Sequence, residues 1–170
     1  MDHCEECGFV YDEESRQPLD GPLRSTAGAG VALLRSRARD ELRRRPQPGV
    51  WSPLEYGCHL RDVLLAQRER VFTTLVEENP TFSPMYRDQR ARFARYNEQD
   101  PTTVADELDV AVGLFARQVA LLDDDQLGRR CLYLFPTPAL RTLRWVGLHT
   151  LHECQHHLLD IRRALPDGTA

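Results

Sequence analysis

Residues 51–62 read WSPLEYGCHLRD and contain the clearest helix start in the chain. Ser52 precedes Pro53, and Glu55 follows Ser52 by three residues. The serine hydroxyl can accept a free backbone N–H of the first turn, and the glutamate can accept the N–H of the serine. Proline suits the first helical position because no N–H is needed there. This pattern predicts a helix from Pro53 to about Asn79, where Pro80 would stop it.

Three further segments carry apolar residues at spacings of three and four, the period of a helix with one buried face. They predict helices at about 23–45, 103–122 and 137–165, each bounded by proline, glycine or aspartate. The segment 80–102 is long for a connection inside a compact domain, although residues 86–96 could form a short helix. No stretch alternates strictly between apolar and polar residues, so no β-strand is predicted. The predicted fold class is all-α, a four-helix bundle with a long connection between helices 2 and 3.

Length and composition limit the possible functions. The 170 residues suffice for one domain, which we divide into a Cys-containing extension (1–22), the bundle (23–165) and a tail (166–170). The net charge of −4 argues against a nucleic-acid partner. All basic residues are arginines, which excludes mechanisms that need a Schiff-base or P-loop lysine. Because neither a long apolar run nor a signal peptide is found, we expect no membrane partner and a cytoplasmic location.

Four of the six histidines lie within 149–157, in the last predicted helix. His152 and His156 are four residues apart, so on a helix their imidazoles point the same way and can bind one cation. His59 lies on the second predicted helix, with Val63 one turn later on the same inward face. Three imidazoles from two helices predict a divalent-metal site at His59, His152 and His156, with one coordination position open to water or substrate.

Other side chains near these histidines could support the predicted site. We expect His149 to line a pocket, and His157, which is rotated by about 100° from the preceding residue, to orient a partner or to face solvent. Asp62 and Asp160 could hold a ligand imidazole through its second nitrogen. Glu153 matches the glutamate of the H-E-x-x-H motif of zinc proteases, but it should point off the ligand face. No catalytic residue is assigned from the sequence.

Two stretches resemble the DinB/YfiT-like family of metalloenzymes, namely 51–62 and 148–161, which reads LHTLHECQHHLLDI. The shared pattern is an N-capped helix with one histidine, followed by a last helix with H-x-x-x-H-H. The similarity covers about residues 20–165. It implies a four-helix bundle with a long connection between its second and third helices. It also implies a zinc, nickel or iron ion, with zinc expected, held by His59, His152 and His156.

The resemblance further implies chemistry on a small molecule. Some members of the family transfer or isomerise substrates with a low-molecular-weight thiol such as mycothiol or bacillithiol. A metal-dependent S-transferase or hydrolase is therefore expected. The protein could also form a homodimer. The pocket should lie between helices 2 and 4, beneath 80–102, where arginines could bind a substrate carboxylate. Aromatic residues that could line it are Tyr86, Tyr96, Tyr133 and Phe135.

Cys4 and Cys7 belong to a C-x-x-C-G-F turn that allows two thiolates to bind one metal ion. The other three cysteines are isolated, so no second turn of this kind completes a four-cysteine site. Three interpretations stay open: a second structural zinc with distant partners, a redox dithiol, or an unliganded tail. The alternative to an enzyme is accordingly a non-enzymatic zinc-binding or redox-sensing protein that uses Cys4 and Cys7. Cys58 and Cys154 are expected to pack between helices.

Overall fold

Seven α-helices and a 3-10 helix (Tyr96–Glu98) are present in the computed structural model, which describes residues 3–135 and 137–166. The α-helices are α1 (Asp20–Ser36), α2 (Arg39–Arg43), α3 (Pro53–Val76), α4 (Arg87–Phe93), α5 (Pro101–Ala120), α6 (Asp124–Leu127) and α7 (Leu143–Ala164). The four long helices form a bundle in which α5 and α7 each pack against both α1 and α3. The predicted all-α four-helix bundle is confirmed. Among the described residues, no helix combines the length and the apolarity needed to cross a bilayer.

The predicted cap of α3 is present. The Ser52 hydroxyl accepts the backbone N–H of Glu55 at 3.2 Å, and the Glu55 carboxylate accepts the backbone N–H of Ser52 at 2.8 Å. The same carboxylate is buried and pairs with Arg45, whose Nε lies 2.8 Å from Oε2. The first turn of α3 is therefore fixed, and His59 follows one turn after Glu55.

The predicted helix 23–45 is divided in two. α1 begins three residues earlier, at Asp20, and it ends at Ser36. Arg37 and Ala38 are extended, with ψ angles of 152° and 144°, before α2 begins. This break redirects the chain so that Leu42 on α2 is fully buried against the bundle.

A small three-stranded sheet is present, so the expectation of no strand was wrong. Its strands are β1 (Thr81–Phe82), β2 (Arg130–Tyr133) and β3 (Ala139–Thr142). β1 runs parallel to β2 with Phe82 opposite Tyr133, and β3 runs antiparallel to β2. Helix α7 begins at Leu143 instead of 137, because Thr142 is its cap and accepts the backbone N–H of Trp145 at 3.0 Å. Strands of two to four residues are too short for an alternating pattern to be recognised.

The N-terminal residues pack across α7. Phe9 is buried, and the backbone carbonyl of Cys7 accepts a hydrogen bond from Gln155 Nε2 at 3.0 Å. The carbonyls of Ser15 and Gln17 accept hydrogen bonds from Arg144. This segment therefore covers the side of α7 that the other long helices leave free.

Candidate metal centre

Helix α7 faces the bundle with a different set of residues from the predicted one. His157 is 4% exposed and packs in the core, whereas His152 and His156 are half-buried beneath the N-terminal segment. One residue along a helix corresponds to a rotation of about 100°. His156 and His157 are consecutive, so their side chains contact different neighbours of α7.

The three histidines predicted as one set of ligands are consequently divided between two clusters. The inner cluster is His59, Glu153 and His157, and the outer cluster is Cys4, Cys7, His152 and His156. Within each cluster the candidate ligand atoms all lie within 4.8 Å of one another. Within the described ranges, His59 does not form a cluster with His152 and His156.

The inner cluster converges on one carboxylate oxygen. Nε2 of His59 lies 3.6 Å from Oε2 of Glu153, and Nε2 of His157 lies 3.5 Å from the same oxygen. These distances are longer than ordinary hydrogen bonds. Two ligand atoms that each lie about 2.1 Å from a tetrahedral ion are about 3.4 Å apart. The spacing therefore fits three ligands around one ion, and the two-imidazole, one-carboxylate set is a known catalytic zinc set.

A second carboxylate orients the His157 ring. Oδ2 of Asp160 lies 2.9 Å from Nδ1 of His157, which leaves Nε2 directed to Glu153. Asp160 thus holds an imidazole as expected, although the ring is not one of the three predicted ligands. Asp62 has another role: its Oδ2 accepts a hydrogen bond from the Tyr96 hydroxyl at 2.5 Å, and it pairs with Arg61.

Electrostatics distinguishes the two histidines of the inner cluster. Burial lowers the pKa of His59, so its imidazole is neutral at pH 7. Burial also disfavours the charge on His157, but Asp160 and Glu153 outweigh it and raise its pKa to about 9. For Glu153, burial opposes ionisation, yet the nearby imidazoles of His157 and His59 hold its pKa well below the usual value. The inner cluster therefore offers an anionic carboxylate of the kind that a divalent cation requires.

A cavity of about 500 Å³ opens onto His59 and Glu153. This volume suits a small molecule. The cavity lies between α3 and α7 and is covered by residues 84–89 of the long connection, as expected. Tyr96 does not line it and is instead buried against Asp62. The expected lining residues that do face it are His149, Tyr86, Tyr133 and Phe135.

Two arginines also line the cavity. Arg70 is held in place by the Tyr133 hydroxyl at 2.5 Å and by the Ser83 carbonyl at 2.6 Å. Arg87 is exposed, and its guanidinium lies 5.8 Å from the centre of the Trp51 ring. No carboxylate of the described residues forms an ion pair with Arg87, so this cation is available to an anionic ligand.

His149 connects the cavity with the N-terminal segment. Its Nδ1 lies 3.0 Å from the Tyr11 hydroxyl, and its Nε2 lies 4.0 Å from Oε1 of Glu153. Its ring stacks on Trp145 with the centroids 4.6 Å apart. Burial lowers its pKa, so His149 is a neutral group at the cavity wall.

The five cysteines fall into two groups. Cys4 and Cys7 are half-buried free thiols in the outer cluster. Cys58, Cys131 and Cys154 are free and fully buried. Burial raises the pKa of Cys58 and of Cys154 to about 12, which agrees with the packing role expected for both.

The comparisons with known proteins agree with this architecture. The sequence matches the DinB superfamily over residues 23–161. The chain belongs to the DinB superfamily. Comparison with curated proteins gives no match.

Two solved structures share this DinB fold. YfiT from Bacillus subtilis, described as a probable metal-dependent hydrolase with an unusual four-helix bundle topology, superposes with a TM-score of 0.80 and 20% identity over 92% of each chain. The mycothiol-dependent maleylpyruvate isomerase superposes with a TM-score of 0.67 and 16% identity. That match covers 85% of this chain and 61% of the isomerase, which therefore contains further regions.

Sequence reasoning missed Glu153 and His157 as members of the inner cluster. One available signal was the row of small residues at Gly147, Thr150 and Cys154, all of which are buried. Spacings of three and four continue this row to His157. Small side chains mark the face on which helices approach most closely, and this face contains His157 instead of His156.

Proposed function

We propose that this DinB-superfamily protein is a metal-dependent enzyme whose ion is held by His59, Glu153 and His157. The substrate would be a small anionic molecule bound in the adjacent cavity. The observation that carries the proposal is the convergence of two imidazole nitrogens on one carboxylate oxygen, at 3.6 and 3.5 Å, where the cavity meets the core. Three protein ligands leave a fourth position for water or substrate.

Zinc is the expected metal, since two imidazoles and a carboxylate are typical of catalytic zinc sites. Nickel and iron also accept imidazole ligands. When bound, such an ion acts as a Lewis acid and lowers the pKa of a coordinated water or thiol. Glu153 supplies negative charge to the ion, and Asp160 keeps the His157 ring in the orientation that directs Nε2 inward.

The cavity wall supplies substrate recognition. Arg87 can pair with a carboxylate or phosphate through two parallel hydrogen bonds, because none of the described carboxylates occupies it. Arg70 is fixed by Tyr133 and Ser83 and contributes positive potential at the same wall. His149 can exchange a hydrogen bond with a reacting group through Nε2, since Tyr11 contacts its Nδ1.

Hydrolysis is the reaction that the ligand set favours, because two histidines and a glutamate are also the ligands of zinc peptidases that activate water. The similarity to YfiT supports the same choice. Thiol-dependent transfer is the second candidate, and the similarity to the mycothiol-dependent isomerase favours it. In that reaction the cosubstrate would be a low-molecular-weight thiol such as mycothiol or bacillithiol.

Metal stoichiometry tests the ligand assignment. His59→Ala, Glu153→Ala and His157→Ala should each lose one equivalent of zinc, measured by elemental analysis of full-length protein purified without a His-tag. Removing one of three ligands leaves too few bonds to hold the ion against buffer. His3→Ala is the matched control, because His3 is exposed and lies outside both clusters. Unchanged zinc content in His59→Ala would refute the assignment.

Cobalt spectroscopy distinguishes the two candidate reactions. Addition of millimolar mycothiol or bacillithiol to the cobalt-loaded protein should increase sulfur-to-cobalt charge-transfer absorption in the near ultraviolet if a thiol enters the open position. His59→Ala should show no such increase. If neither thiol changes the spectrum of the unmodified protein, thiol transfer is rejected. Zinc-dependent cleavage in a panel of carboxylate-bearing esters and amides would then be the remaining test of hydrolysis.

A further inference from the structure

We infer that the outer cluster of Cys4, Cys7, His152 and His156 binds a second zinc ion in a closed, structural site. The site would be separate from the proposed catalytic centre and does not depend on it. Two thiolates and two imidazoles complete a tetrahedral zinc site without an open position. The chain supplies them as C-x-x-C and H-x-x-x-H pairs, spacings that structural zinc sites use.

The distances within the outer cluster fit one ion. Sγ of Cys4 lies 3.6 Å from Nδ1 of His156, and the four ligand atoms lie within 4.8 Å of one another. For zinc–sulfur and zinc–nitrogen bonds of about 2.3 and 2.05 Å at a tetrahedral angle, the sulfur and nitrogen are about 3.6 Å apart. The separation of Cys4 and His156 therefore matches that of two ligands of one zinc ion.

His152 supplies an independent observation. Its Nδ1 lies 2.9 Å from the Tyr11 hydroxyl, while its Nε2 is buried and has no hydrogen-bond partner among the described residues. A buried polar atom without a partner costs stability. A zinc ion would satisfy this nitrogen.

The backbone of the Cys4–Phe9 turn is suited to two thiolates. Gly8 has a φ of +71°, a conformation that favours glycine, and its N–H donates to the Cys4 carbonyl at 2.8 Å. The N–H of Cys4 donates to the Phe9 carbonyl at 2.9 Å. These two hydrogen bonds fix the turn that carries Cys4 and Cys7.

Two carboxylates lie on the far side of the His156 ring. Oε2 of Glu6 and Oδ2 of Asp160 are each 3.7 Å from its Nε2. Carboxylates beyond a metal-bound imidazole fix its tautomer and strengthen it as a ligand. They would favour the proton on Nε2 and leave Nδ1, the atom that faces Cys4, free for the metal.

A zinc ion at this site would fasten the N-terminal segment to α7. Coordination through Nε2 of His152 leaves its ring proton on Nδ1, which then donates to the Tyr11 oxygen. The Tyr11 hydroxyl can in turn donate to Nδ1 of His149 at 3.0 Å. The outer site would thereby determine which nitrogen of His149 carries the proton at the cavity wall.

The test uses full-length protein purified without a His-tag and reconstituted with zinc. X-ray absorption at the zinc edge should give a mixed sulfur and nitrogen shell. Cys7→Ser and His156→Gln should each lose one zinc equivalent. The control Cys131→Ser should lose none, because the serine hydroxyl can still donate to the Arg141 carbonyl that the Cys131 thiol contacts. A nitrogen and oxygen shell without sulfur, or an unchanged zinc content in Cys7→Ser, would overturn the inference.

Thiol alkylation of the unmodified protein gives a result that does not depend on how a variant folds. With zinc bound, Cys4 and Cys7 should resist iodoacetamide, and after chelation both should react. The three buried cysteines should stay unmodified in both states, as peptide mass spectrometry would report. Equal reactivity of Cys4 and Cys7 with and without zinc would contradict the proposal. So would a Cys4–Cys7 disulfide in protein prepared anaerobically, which would indicate the redox dithiol instead.

Discussion

Asp160 lies next to one histidine of each cluster. Its Oδ2 lies 2.9 Å from Nδ1 of His157 and 3.7 Å from Nε2 of His156. Only the shorter distance is a hydrogen bond. Asp160 therefore orients the His157 ring more strongly than it orients the His156 ring. A change at Asp160 should affect metal binding at the two proposed sites unequally.

Asp160→Asn should weaken zinc binding at the inner cluster by about 10- to 100-fold, the usual effect of losing a carboxylate behind a metal-bound imidazole. Competition with a chromophoric chelator would measure both affinities. The outer cluster should change less, since His156 retains Glu6 as a second neighbour. Asp109→Asn is the control, because this aspartate is exposed, pairs with Arg35 and belongs to neither cluster. Equal losses at both sites would count against the assigned contacts.

The sequence identified most of the histidines involved but not their grouping. In HECQHH, residues 152–157, both the 152/156 pair and the 153/157 pair have the four-residue spacing that aligns side chains on a helix. Which pair faces α3 depends on how α7 is rotated in the bundle. That rotation is set by packing of the whole helix, including the N-terminal segment, and not by local spacing.

At the scale of elements, the caps determine where the site helices begin. His59 is located in the second turn of α3, directly after the Ser52 cap. The Ser52 hydroxyl accepts from the Glu55 backbone and also lies 2.8 Å from Oδ1 of Asn97, which ties the cap to the long connection. A weaker cap should therefore loosen both the helix start and the connection that covers the cavity.

Ser52→Ala should lower the free energy of unfolding by about 1–2 kcal/mol, the upper range for loss of a capping side chain. Urea denaturation followed by circular dichroism would measure this change. Ser36→Ala is a matched control at the exposed end of α1 and should change stability by less than about 0.5 kcal/mol. A Ser52→Ala variant as stable as the Ser36→Ala variant would contradict the role of the cap.

Elements with strong local signals were predictable from the sequence, and those that depend on distant pairing were not. The start of α3 was predicted at the correct residue. That of α5 was predicted two residues late, because the cap formed by Asp100 and Pro101 was counted as part of the preceding connection. The short helix α4 was also anticipated. The strands escaped prediction because β1 pairs with β2 across about 50 residues of sequence, and two to four residues carry no readable period.

For the whole molecule, α7 is the common support of two proposed metal sites. Its inner side contributes Glu153 and His157, and its outer side contributes His152 and His156. The bundle completes one site through α3, while the N-terminal segment completes the other. The sequence predicted this segment as a separate extension, and the contacts that attach it to α7 follow from tertiary structure. Ions that bind only the folded chain would stabilise it by mass action.

The most direct measurement of the central claim is an anomalous difference map at the zinc edge, from crystals of full-length protein reconstituted with zinc. The account predicts a peak within bonding distance of His59, Glu153 and His157, and a second peak among Cys4, Cys7, His152 and His156. A peak shared by His59, His152 and His156, or the absence of density at Glu153 and His157 in zinc-saturated crystals, would contradict it.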